Sequence, residues 1–229
     1  MPDKKIIIFT PHPDDETLGC GGTIVKKVKE GYEVNIVVMT DGRYAFSTLL
    51  NININPTPDK LKEMRKKELI KAMNILGVLE KNIIFLDYID GTLNKNESEV
   101  EEIIINILNK NRPDEIYFTY EKDFNLDHRA ANKIIKKAIE KSGLSITKYK
   151  YSITQIYDNF GPLVDSFFNL FKNNLIYVDI SDILPLKREA FEEYKSQISI
   201  ISNLQKEPLL TTRIIKKHLK KYEIYYKDK

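Results

Sequence analysis

The 229-residue chain carries one cysteine and three histidines, and both scarcities narrow its chemistry. A single thiol excludes an internal disulfide framework and fits a reducing compartment. Cys20 stands among glycines with no histidine beside it, which reads as small packing and not as a nucleophile. Long apolar runs are missing too. The run Ile6-Ile7-Ile8-Phe9 is far shorter than a signal-peptide core, and nothing approaches the roughly 20 apolar residues of a membrane span. A cytoplasmic protein without a membrane span is therefore expected. Charge of one sign is also lacking: 36 Lys and Arg against 33 Asp and Glu leave a formal net charge of +3. The lysines spread along predicted helix faces without forming a patch, so no nucleic-acid partner is expected. Internal repeats and low-complexity segments are absent.

What is present is alternation. Short β-branched runs, KKIIIFT, YEVNIVVMT, NIIFLDY and DEIYFTY, are separated by helical patterns at 17–30, 59–76, 98–110 and 127–141. Asp59 is the expected cap of the second helix, and Gly31 and Gly77 are stop signals for the first two. Continuous β-branched strands between helices imply an α/β fold with a mostly parallel sheet covered on both faces. After Gly143 the pattern changes: KYKYSITQIY alternates, LIYVDI reads as a strand, and a helix begins near Ser181-Asp182. No linker composition separates this part. A single domain over 1–229 is expected, with a core to about 143 and a C-terminal extension over 144–229.

Ligands of open parallel sheets bind beyond the carboxyl ends of the strands, which directs attention to the loops 10–16, 40–43, 87–93 and 120–128. The first reads TPHPDDE. His12 and Asp15, three apart on a tight turn, suit a metal, but Asp14, Asp15 and Glu16 equally suit the positive end of the next helix. The last loop, DFNLDHRAA, places His128 near a helix start, with Asn125 or Asp127 as an N-cap. There the helix dipole favours a neutral imidazole. Two of three histidines thus fall at strand ends of one sheet, and with Asp15 they make a His12–Asp15–His128 set with an open position. Asp14 is then the candidate general base for a water acidified by such an ion, with Glu16 left to the helix end. His218, in KKHLKK, is expected on the surface. Leu61, Arg65, Glu68, Ala72 and Leu76 share a helix face. Arg65 there is either paired to Glu68 or held by it toward the site. Ala190, Tyr194, Gln197 and Ile201 form a similar stripe, in which Gln197 needs a polar partner.

Taken together, P-H-P-D-D-E at 11–16, T-D-G at 40–42, R-x-x-E-x-x-x-A ahead of L-G at 65–77, D-G-x-L at 90–93, D-H-R at 127–129 and K-x-x-A…Y-x-S-Q at 187–197 resemble the PIG-L (LmbE-like) family of zinc-dependent N-deacetylases. The resemblance implies a Rossmann-like fold and removal of the N-acetyl group from an N-acetylglucosamine-type amino sugar or its conjugate. By matched position it implies zinc on His12, Asp15 and His128, Asp14 as general base, and Arg65 and Asp90 on sugar hydroxyls. A His-Asp-His set also accommodates Fe²⁺ or Mn²⁺. Many members have His-x-Asp-His where this chain has Asn125-Leu126-Asp127-His128. An asparagine can donate to an oxyanion but cannot shuttle a proton, so the general acid is left open. The Arg-Gly-rich tract common before the final strand is replaced by LLTTRIIKKHLKKYEIYY. Three alternatives stand beside the deacetylase: a non-catalytic metal- or sugar-binding homologue, an amidase for another N-acyl small molecule, and Mg²⁺-dependent transfer through Asp14 as nucleophile. The expected partner is a small-molecule amino sugar, and self-association is left open.

Overall fold

Strand β1 (Lys5–Thr10) shows why the sheet is covered twice. Ile6 and Ile8 join one apolar cluster, while Ile7 and Phe9 join another. A strand with no polar face cannot sit at a solvated surface, and alternation sends its side chains to both sides. The computed structural model describes residues 4–153 and 174–228. Among these, β1 is followed by α1 (Asp15–Lys29), β2 (Glu33–Thr40), α2 (Ala45–Leu50), α3 (Pro58–Ile75), β3 (Ile83–Tyr88), α4 (Glu97–Asn111), β4 (Glu115–Thr119), α5 (Leu126–Ser142) and β5 (Thr147–Tyr151). The remaining elements are β6 (Leu175–Asp179), α6 (Leu184–Phe191), α7 (Lys195–Ile198), α8 (Thr212–His218) and β7 (Tyr222–Asp228). The end of the alternating stretch KYKYSITQIY falls outside the described residues.

The sheet order is β3-β2-β1-β4-β5-β7-β6. Its first five strands are mutually parallel, as the Rossmann-like reading requires. β7 then runs antiparallel to both β5 and β6, so the C-terminal segment extends the same sheet. One face is covered by α1, α3 and α6 and the other by α4 and α5. α1 lies close against the sheet because Gly19 has no side chain: a Cβ there would stand 2.4 Å from Cδ2 of Tyr151. Cys20 is buried in the same cluster. No helix of the described residues is long and apolar enough to cross a membrane.

Local chemistry moved two expected boundaries. α3 is capped by Thr57, whose hydroxyl accepts the N–H of Lys60, and not by Asp59; Pro58 fills the first helical position, where its missing N–H costs nothing. The expected stripe through residue 201 is broken into α6 and α7. Ala190, Tyr194 and Gln197 are still buried, and Gln197 Nε2 finds its polar partner in Ser196 Oγ at 2.7 Å.

Candidate active site

The four strand-end loops meet beyond the carboxyl ends of β1, β2, β3 and β4. Asp127 Oδ2 accepts the N–H of Gly91 at 2.7 Å, and its Oδ1 that of Leu93 at 3.2 Å. Asp90 Oδ2 accepts the N–H of Tyr44 at 3.1 Å. Arg65, reaching in from α3, donates to Pro13 O at 2.6 Å and Gly42 O at 3.0 Å. These bonds join all four loops into one wall.

At its centre, His12 Nδ1, Asp15 Oδ2 and His128 Nε2 form a triangle with sides of 3.2, 3.1 and 3.1 Å. The outward nitrogens of both rings face carboxylates. His12 Nε2 lies 3.2 Å from Asp90 Oδ1 and 3.5 Å from Asp127 Oδ2, and His128 Nδ1 lies 3.1 Å from Asp123 Oδ1. Protons belong on those outward nitrogens, which leaves two imidazole lone pairs and a carboxylate oxygen turned on one another. Such an arrangement calls for a cation. Donor atoms sharing one tetrahedral ion at about 2.0–2.2 Å stand about 3.3–3.6 Å apart, within a few tenths of an ångström of the observed sides, so the residues fit a divalent metal. Without one, charge alone must serve. Burial would lower the His128 imidazole, but Asp15 and Asp123 raise it to about 9. Burial would raise the Asp15 carboxyl, but His128 and His12 hold it well below the usual range. Burial likewise works against the Asp90 carboxylate, yet His12 and Arg65 bring it to about 2.

Asp14 stands beside this triangle and is bound differently. Its side chain makes no cap bond to α1, and its backbone sits at φ 134, ψ −26. Side chains rarely tolerate that region, at a cost of about 1–3 kcal/mol. Arg65 Nη2 lies 3.2 Å from Asp14 Oδ2. Burial drives the Asp14 carboxyl upward, Arg65 opposes it, and the balance falls at about 7. A carboxylate so poised exchanges protons near neutral pH.

The sequence expectations fare unevenly. His12, Asp14, Asp15 and His128 are brought together, with Asp90 against His12. Asn125 borders the same loop as the N-cap of α5: its Oδ1 accepts the N–H of Asp127 at 2.8 Å and of His128 at 3.4 Å. That bonding commits Oδ1 to the cap and leaves Nδ2 outside it. Arg65 is 3% exposed, and both Nη groups are committed to protein acceptors. A sugar contact from Arg65 would have to displace those bonds. Glu68 neither pairs with Arg65 nor aims it; it accepts the N–H and hydroxyl of Ser196 at 2.7 and 2.6 Å. Glu16 is fully buried in the first turn of α1, where its Oε2 accepts the backbone N–H of the N-cap residue Asp14 at 3.1 Å. His218 is only partly at the surface: the residue is half-buried, with Nε2 3.1 Å from Ile153 O. Lys187 and Glu223 form a buried ion pair 2.7 Å long that no local sequence pattern signals. Asp123 and Asp127, both inside DFNLDHRAA, are partners of the histidines that the sequence reading does not assign. Their signal was carboxylates within five residues of an imidazole at a strand end.

Residues 7–139 match the family model PIG-L, described as GlcNAc-PI de-N-acetylase. The chain is 30% identical over 199 residues to the diacetylchitobiose deacetylase of Thermococcus kodakarensis, covering 85% of this chain and 70% of that protein. It is 28% identical over 141 residues to a probable N-acetyl-alpha-D-glucosaminyl L-malate deacetylase 2 of Bacillus cereus, covering 61% and 62%. Its fold is similar to the solved structure of N,N'-diacetylchitobiose deacetylase from Pyrococcus horikoshii, with a TM-score of 0.66 and 27% identity over 85% of this chain and 70% of that one. The family model spans more than half of the chain, and the relative from Thermococcus kodakarensis is matched over 70% of its length: the chain belongs to the PIG-L family.

Proposed function

We propose that the protein hydrolyses the acetamide of an N-acetylglucosamine-type amino sugar or conjugate, releasing acetate and the free amine, with Zn²⁺ as its ion. The observation that carries this reading is the triangle of two imidazole lone pairs and a carboxylate, with the carboxylate of Asp14 next to it. The kinship with diacetylchitobiose and N-acetylglucosaminyl-malate deacetylases supports the substrate class.

His12, Asp15 and His128 would hold the ion, and Asp90, Asp127 and Asp123 would orient the two rings behind it. An ion held there would supply Lewis acidity toward the acetyl oxygen and toward a water near neutral pH. Asp14 takes the proton of the attacking water. The same carboxyl returns it to the amide nitrogen as the C–N bond breaks, so no histidine acid is required at position 125. Arg65 keeps the Asp14 carboxylate in place and restrains its affinity for the proton. Asn125 directs Nδ2 to the developing oxyanion, a donor that the cap prevents from flipping. Asp90 accepts from a sugar hydroxyl through its solvent-facing edge.

The test is acetate release from N,N'-diacetylchitobiose and N-acetylglucosamine by the zinc-loaded protein. Asp14→Asn is expected to lower kcat by about 10²–10⁴-fold, the usual worth of a general base, with metal stoichiometry unchanged. An unchanged rate in Asp14→Asn, or no acetate from either sugar or its conjugates, would overturn the reading.

A further inference from the structure

The mechanism above leaves Glu16 without a task, although it is fully buried between two residues that matter. Its Oε2 accepts the backbone N–H of Asp14 at 3.1 Å. Its Oε1 accepts the hydroxyl of Thr17 at 2.9 Å and the phenol of Tyr194. Tyr194 is itself fully buried and arrives from the C-terminal segment, between α6 and α7. On the other side of the same peptide unit, Pro13 O accepts Arg65 Nη2 at 2.6 Å. The peptide joining residues 13 and 14 is therefore gripped at both ends, its carbonyl by an arginine and its N–H by a glutamate. The residue that follows has φ 134. Conformations of that kind persist only where neighbouring bonds over-determine them, and they gather where a side chain must be aimed.

We propose that Glu16, braced by Tyr194, is a positioning residue for Asp14: it holds the strained backbone that points the Asp14 carboxylate at Arg65 and the reaction centre. The inference rests on the reading of Asp14 as general base. Because φ turns the side chain about the N–Cα bond, relaxing it to a negative value re-aims the carboxylate. The task needs an acceptor opposite the Asp14 N–H. At Oε1 the partners are hydroxyls, which can donate or accept. Glutamine can fill the place by turning its oxygen toward Asp14 and its NH₂ toward Tyr194 and Thr17. Methionine, of similar length, leaves the Asp14 N–H buried without an acceptor.

The test is a double-mutant cycle, with acetate release from N,N'-diacetylchitobiose measured at equal zinc loading. Glu16→Met is expected to lower kcat about 10²-fold, the cost of a reacting group displaced by about an ångström. KM and zinc stoichiometry should stay within about twofold of native. Glu16→Gln should recover most of that loss, and Glu16→Met should cost nothing further in the Asp14→Asn background. Equal losses in both backgrounds, loss of zinc alongside kcat, or a Glu16→Gln as slow as Glu16→Met would overturn the proposal. If Glu16→Met does not melt cooperatively, Tyr194→Phe takes its place. A fall in kcat of about five- to tenfold, absent in the Asp14→Asn background, supports the proposal, and the same fall in both backgrounds overturns it. Native-like rates in Asp14→Asn itself would instead sink the reading of Asp14 and leave the question of Glu16 without its object.

Discussion

Gly42→Ala is a one-methyl perturbation that reaches the proposed base without touching it. Gly42 sits at φ +63, and a Cβ added there would lie 2.3 Å from Nη1 of Arg65, 2.7 Å from its Cζ and 3.1 Å from its Nε. The guanidinium cannot simply swing aside, because Pro13 O, Gly42 O and Asp14 Oδ2 hold it at 2.6, 3.0 and 3.2 Å. The left-handed backbone costs alanine about 1–2 kcal/mol, and disturbing a charge-assisted hydrogen bond adds about 1.5–3 kcal/mol. A loss of about 2.5–5 kcal/mol corresponds to a fall in Tm of roughly 5–20 °C for a chain of this size. Arg65 also opposes the burial that raises Asp14, so displacing it sends that carboxyl upward from about 7. The assay is a melt together with the pH dependence of kcat/KM, whose acidic limb should move to higher pH. Gly143→Ala supplies the control: its φ is +65 with nothing within 4 Å of the new Cβ, so it should cost about 1–2 kcal/mol and leave the pH profile alone. If both variants melt alike and the acidic limb of Gly42→Ala stays put, the account of Arg65 is wrong.

Asn125→Asp separates capping from catalysis: a carboxylate still caps α5, so Tm should hold within a few degrees. The lost Nδ2 donor should cost about 10²-fold or more in kcat, and full activity would refute the oxyanion role. Asp123→Asn exchanges the carboxylate beside His128 Nδ1 for an amide and should weaken zinc binding by about 10–100-fold, as read by competition with a chelator; unchanged affinity would contradict the orientation argument. Burial, aided by Lys187, lowers His218 to about 4, so the unfolded chain takes up this proton first. Stability from this group is therefore full above the unfolded value near 6.5 and is lost as pH falls toward 4, on the order of 3 kcal/mol. His218→Gln should flatten the denaturant midpoint between pH 6.5 and 4, and an unaltered slope would place the acid sensitivity elsewhere.

Local pattern carried most of what could be read in advance. β-Branched runs between helices marked the parallel core, and TPHPDDE and DFNLDHRAA announced the triangle because each brings its ligands within a few residues of a strand end. Contacts between remote segments left no such trace. Nothing near Glu16 points to Tyr194, 178 residues away, so the glutamate reads as one more acid at a helix start. Arg65 and Glu68 share a helix face, which suggests a pair, yet α7 offers Glu68 two donors from Ser196 and the Pro13 carbonyl draws Arg65 away. Lys187 looks like any solvated lysine until β7 brings Glu223 beside it. Thr57 and Asp59 are both plausible caps by type, and the proline between them decided for Thr57. The reversal of β7 depends on segments joining across the sheet, and residue periodicity does not encode strand direction.

The central claim is that His12, Asp15 and His128 hold one ion on which acetate release depends. Titrating metal-free protein with Zn²⁺ while following acetate from N,N'-diacetylchitobiose tests it most directly. The account predicts a rate that climbs linearly and breaks at about one equivalent, with Asp15→Ala flat across the same range. Acetate release that proceeds without added metal in chelator-treated protein, or that Asp15→Ala leaves intact, would contradict it.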